Sequence, residues 1–278
     1  MTVKPIVAAT DGSEHSLRAV EWAAKEAVLR GAGLRIVAAA EMPPRMAAAG
    51  SSGTGLGGVS DVLRRNRDEG LQAAAARAVA AAPDLLIDTD VLEDAPAQAV
   101  TDSGSGALML VIGSRGAGAF TAAVFGSVSR YAASHAPCPV VVVRDVPPSL
   151  QQHVGVGLGD VDRSADTLTF AFEEAALRKA SLTIMHAWEG PSPHEVDEEA
   201  ARQLGVFLEG WRSKYPDVTV AQDVVHGHPA RALVGLSARA DLVVIGRHTA
   251  HADRPGPGAV RHAVLNHAHG PVVVVPST

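Results

Sequence analysis

The sequence predicts an α/β protein made of two tandem, doubly wound, five-stranded parallel sheets, Rossmann-like in each half. Three observations carry this. Runs rich in Val, Ile and Leu alternate with Ala-rich stretches of helical length, as expected for strands buried on both faces and joined by crossover helices. The plan occurs twice, with ALMLVIGSRG answered by ADLVVIGRHT, and HAPCPVVVV (135–143) by HAHGPVVVV (267–275). A length of 278 residues suits two domains.

In the first half a strand over Ile6–Ala9 runs into Asp11-Gly12-Ser13, a turn and helix-start signal, and a helix then extends to about Leu29. A second strand spans Leu34–Glu41, and a long helix spans Ser60–Ala82. A third strand ends before Ala95-Pro96-Ala97, where the proline opens another helix. The fourth strand closes at Ile112-Gly113, and Pro139–Val143 forms the fifth. The second half repeats this with HVGVGLGD, then Ser181–Glu189, a helix over Pro193–Lys214, a strand before His228-Pro229-Ala230, the LVVIG run and Pro271–Val275. The expected domains are 1–146 and 154–278, joined through the proline-bearing stretch RDVPPSLQQH at 144–153. Both terminal strands are unbroken valine runs that invite pairing. They are expected to meet within the chain as a pseudo-dimer and to offer a surface for homodimers.

Right-handed crossovers place the ligand crevice of each sheet at the C-terminal strand ends, where the strand order reverses. In the first half the turn after strand one and the loop after strand four converge there. That loop, VIGSRGAGAFTAAVFGSV, contains Gly113, Gly116 and Gly126-Ser127 in a Gly-x2-Gly-x9-Gly-Ser spacing. Clustered N–H groups where such a loop enters a helix hold phosphate. The spacing is not a Walker motif, because no glycine is followed by lysine. A GxGxxG match at Gly53, Gly55 and Gly58 has no strand before it and reads as part of a loose loop over Ala47–Ser60, with a lid as the lesser reading.

A net charge of −6 without a Lys/Arg cluster argues against nucleic-acid or membrane-surface binding. The single cysteine, Cys138, excludes an internal disulfide and reads as a small buried hydrophobe. With no leader or long apolar run at the start of the sequence, the expected location is cytoplasmic.

The ATDGS turn, the VIGSRG strand end, the glycine spacing and the CPVVVV strand together resemble the universal stress protein family in its tandem form. The resemblance implies an adenine-nucleotide alpha-hydrolase-like fold with ATP, and Mg2+ as an optional companion, across the ends of strands one, two and four. It implies that Asp11 lines the nucleotide pocket with Ala9 and Thr10, and that the backbone of Ala39 meets adenine. Gly113 and Gly116 then lie beside ribose and phosphates, while Gly126, Ser127, Val128 and Ser129 hold the outer phosphates. Ser114 and Arg115 sit where a side chain reaches phosphate. From the residues alone Asp11 could instead cap the first helix, and Ser127 and Ser129 the later one. No residue is assigned a catalytic or metal-binding role.

The second half departs from this pattern. Thr249 replaces the second glycine, Pro255 and Pro257 interrupt the loop, and Ala259 and Arg261 replace the hydroxyl positions after Gly258. Gly159-Asp160 stands in place of Asp11-Gly12. Each proline removes an N–H donor, so this half is expected to bind nucleotide weakly or not at all. Arg247, Arg254 and Arg261 leave an altered anion site open. Nine of twelve histidines follow residue 185, at spacings metals can use, yet surface loops account for them. The expected function is an ATP-binding stress-response regulator that works as a ligand-dependent switch. The alternatives are a slow Mg-dependent ATPase and a structural dimerisation protein without ligand.

Overall fold

The computed structural model describes residues 3–39, 57–116, 125–144, 151–160, 163–188, 194–247 and 258–277. The chain divides into two compact units, Met1–Val143 and Arg144–Thr278. The first contains β1 (Ile6–Thr10), α1 (Glu14–Arg30), β2 (Leu34–Ala39), α2 (Gly57–Ala81), β3 (Ile87–Leu92), α3 (Pro96–Asp102), β4 (Met109–Gly113), α4 (Ser127–His135) and β5 (Val140–Val143). Its strands lie in the order β3-β2-β1-β4-β5, with neighbours parallel. Ile6 stands opposite both Leu34 and Met109, and Gly113 opposite Val143. The chain moves outward from β1 to β3 and then returns to the other side of β1, so the ends of β1 and β4 border a crevice at the reversal of strand order.

The second unit contains β6 (His153–Leu158), α5 (Ala165–Arg178), β7 (Ser181–Trp188), α6 (His194–Phe207), α7 (Glu209–Lys214), β8 (Val220–His226), α8 (Pro229–Ser237), β9 (Leu242–Gly246), α9 (Ala259–His267) and β10 (Val272–Val275). Its order, β8-β7-β6-β9-β10, is the same permutation, again with parallel neighbours. The predicted five-strand, doubly wound sheet is therefore present in each unit.

The central strands are apolar on both faces because helices cover both. Ile6, Met109, Leu110 and the valines of β5 are fully buried, as are Val154, Val156 and Val272–Val274. α1 begins where the Ser13 side chain accepts the Ser16 N–H, and it ends at Gly31 in a left-handed conformation with φ 60°. α5 ends in the same way, at Lys179 with φ 52°. One turn before each of these ends lies a buried ion pair. Glu26 is 1% exposed and accepts from Arg30 Nε at 2.6 Å; Glu174 is fully buried and pairs with Arg178.

Some boundaries differ from the sequence reading. The long first-half helix starts at Gly57 rather than Ser60, and the expected helix over Pro193–Lys214 is divided into α6 and α7. Within the expected linker, β6 already begins at His153, while residues 145–150 lie outside the described residues. The glycine-rich stretch up to residue 56 also lies outside them. Among the described residues no helix is long and apolar enough to cross a membrane.

Candidate functional site

The β1–α1 turn forms one wall of the site. Ser16 Oγ donates to Ser13 O at 2.8 Å, which leaves Thr10 Oγ1, 3.1 Å away, as the donor to Ser16. Thr10 Oγ1 also accepts the Gly12 N–H at 3.1 Å. Gly12 has φ 78°, a conformation that strongly favours glycine, and its Cα lies so close to α2 that a Cβ on Gly70 would stand 3.0 Å from it. This wiring fixes Asp11. Its Oδ1 accepts the Ser13 N–H at 3.0 Å in an Asx turn, and its Oδ2 lies where a Cβ on Gly116 would stand 2.6 Å away. Asp11 therefore does not cap α1; Ser13 does.

The end of β4 forms the facing wall. A Cβ on Gly113 would lie 2.9 Å from both His15 C and His15 O and 3.0 Å from Ser16 N, so this glycine is where the first turn of α1 crosses the sheet. The Ser129 hydroxyl donates to Gly113 O at 2.7 Å and ties α4 to β4. That hydroxyl is thus engaged by backbone rather than offered to phosphate. Ser114 also departs from expectation, since at 1% exposure it faces the interior and does not line the cavity. The reason is loop closure: the Ser114 N–H donates to Val143 O and its carbonyl accepts the Gly126 N–H, each at 3.0 Å. Neither Ser127 nor Ser129 caps α4. The N-cap is Gly126, no side chain bonds the first N–H groups, and the first turn carries no acid. An uncapped helix start of this kind attracts an anion.

These walls enclose a cavity of about 610 Å³. Ala9, Thr10, Asp11, Ala39, Gly113, Arg115, Gly116, Gly126, Ser127, Val128 and Ser129 line it, which is every sequence-assigned site residue except Ser114. Ser16, Pro96, Val100, Ile112, Phe125 and Arg130 line it as well and were missed. Pro96 and Val100 read as ordinary helix-start and core residues. Arg130 had a usable signal, a cation in the turn directly after Gly126-Ser127.

The universal stress protein family model matches residues 2–144 and again 151–276. The chain belongs to the universal stress protein family. A universal stress protein of Mycobacterium tuberculosis is 32% identical over 97% of this chain and 94% of its own length. A universal stress protein of Archaeoglobus fulgidus has the same fold over 98% of both chains, with a TM-score of 0.74 at 19% identity. Another universal stress protein, solved in complex with cAMP, matches 52% of this chain at 27% identity with a TM-score of 0.39.

The second universal stress protein domain is packed differently at the corresponding place. Val154 pairs with Leu242 as Ile6 pairs with Met109, so Gly155 and Gly157 stand in place of Val7 and Ala9. A Cβ on Gly157 would lie 2.6 Å from Leu233 Cδ2, and one on Gly155 would lie 2.6 Å from Leu236 Cδ2. Leu233 occupies the helix position that Val100 holds in the first domain, four residues after the opening proline. α8 packs on β6, β7, β9 and α9, whereas α3 packs on β2, β3 and α4. α8 thus contacts the central strand β6, and Leu233 packs against Gly157, the counterpart of the cavity-lining Ala9. A small cavity of about 20 Å³, lined in part by Asp160, Arg163, Thr167 and Arg247, has room for about one water.

Burial pushes the Arg261 guanidinium below its ordinary pKa, and Arg261 donates to Arg247 O at 2.7 Å. Thr249, Arg254, Pro255 and Pro257 lie outside the described residues. Among the described residues, no group of three or more His, Cys, Asp or Glu is arranged to hold a metal.

Proposed function

We propose that the first domain holds an adenine nucleotide, ATP in particular, at the ends of β1, β2 and β4, and that the protein acts as a nucleotide-dependent regulator of the stress response rather than a fast catalyst. The observation that carries this reading is one cavity combining an apolar lining with the uncapped start of α4. A volume of about 610 Å³ is in the usual range for small-molecule sites. Ala9, Pro96, Val100, Ile112 and Phe125 offer apolar surface for a base, and the first N–H groups of α4 offer donors for phosphate. Asp11 is the only carboxylate among the described lining residues, so Mg2+ would offset its charge beside a polyphosphate.

The second domain, where Leu233 packs against Gly157, contributes no second nucleotide in this reading.

Acid release and chromatography of the purified protein test the proposal. The expected result is close to one ATP per chain, lost in a Gly116→Ala, Ser127→Ala double variant, whose Cβ at 116 displaces the Asp11 carboxylate. Two nucleotides per chain would overturn the single-site reading. None, with no uptake of added ATP, would overturn nucleotide binding altogether.

A further inference from the structure

We infer that Arg130, acting with Arg115, makes the first site select by phosphate number, favouring adenosine di- and triphosphate over the monophosphate. This rests on the adenine-nucleotide reading of that cavity. The Gly126 N–H···O=C Ser114 bond of 3.0 Å brings the segment around Arg115 against the start of α4, where a Cβ on Gly126 would lie 3.8 Å from Arg115 Cα. Arg130 lies four residues after Gly126, and its N–H donates to Gly126 O at 3.0 Å. The two arginines thus flank one helix start, and both line the cavity.

Among the described residues neither guanidinium has a hydrogen bond or an ion pair, in contrast to Arg30, Arg77 and Arg178, which are all paired. The position of Arg130 is also unfavourable without a ligand. A cation in the first turn adds to the positive end of the helix dipole, and α4 has no acidic residue there to offset it, whereas α1 has Glu14 and α5 has Asp166. An anion resolves this conflict, and more completely the more charge it brings. The helix N–H groups suffice for one phosphate. The arginines add charge-assisted donors that gain partners as further phosphates are added.

Calorimetric titration of the wild type, Arg130→Gln and Arg115→Gln with ATP, ADP and AMP at one salt and Mg2+ concentration decides the matter. Arg130→Gln is expected to weaken ATP binding about tenfold, ADP less, and AMP by no more than about twofold. The melting temperature of ligand-free Arg130→Gln is expected to be no lower than that of the wild type, because the clash with the dipole is removed. Equal losses for ATP and AMP, or no loss for either, would overturn phosphate selection while leaving nucleotide binding intact. A wild type that binds none of the three would overturn the nucleotide reading and this inference with it.

Discussion

Gly113→Val is expected to lower the unfolding free energy by about 3 kcal/mol and to abolish nucleotide binding, both measurable by denaturant titration with and without ATP. The atoms that a side chain at 113 would meet belong to the α1 backbone, which has no alternative rotamer: His15 C and O at 2.9 Å and Ser16 N at 3.0 Å. Relief requires the first turn of α1 to leave β4. That turn carries Ser16, whose hydroxyl joins Thr10, Ser13 and the Asp11 N–H, so the wall of the cavity moves with it. The equivalent Gly246 supplies a control. There the nearest atom to a new Cβ is a side-chain oxygen, Thr167 Oγ1 at 3.0 Å, and Gly246→Ala is expected to cost less than about 1 kcal/mol. Similar losses at the two glycines would refute the crossing as the cause.

Arg178→Ala is expected to destabilise the second domain by about 3 kcal/mol, and Arg30→Ala the first by a similar amount, in thermal or denaturant unfolding. Each change leaves a carboxylate, Glu174 or Glu26, inside the protein at no more than 1% exposure without the guanidinium that accompanies it. Replacing each pair together, as in Glu174→Leu with Arg178→Met, is expected to recover most of the loss, because desolvating two charges costs nearly what their attraction returns. If the single and double changes cost the same, burial of the charge is not the source of the effect. The pair recurs at the same place in both domains, one turn before a left-handed helix end.

The parts of the fold legible in the sequence are those written locally. Valine-rich strands, a glycine turn after β1 and prolines at the starts of α3 and α8 each follow from chemistry within a few residues. Whether Asp11 caps α1 was open in the sequence because Asp caps helices well; the Asx turn that leaves the cap to Ser13 is visible only in three dimensions. Ser114 reads as an accessible loop hydroxyl, yet a bond to Gly126 across the loop turns it inward. Val100 and Phe125 carry no mark separating cavity wall from core.

The largest gap concerned the second domain. The sequence drew attention to Thr249 and the prolines, which lie outside the described residues, while the described residues show Leu233 packed against Gly157, which lies far from it in the chain. Their complementary volumes have no local signature.

That exchange of volume also makes the difference between the two halves hard to undo. Shortening Leu233 alone leaves a hole over Gly157, costing about 2–5 kcal/mol when a buried leucine becomes alanine. Adding a methyl at Gly157 alone drives it into the leucine. Leu236 and Gly155 repeat the problem one step along the strand. The two domains are therefore separated in sequence space by intermediates less stable than either, so drift by single substitutions tends to keep the filled half filled.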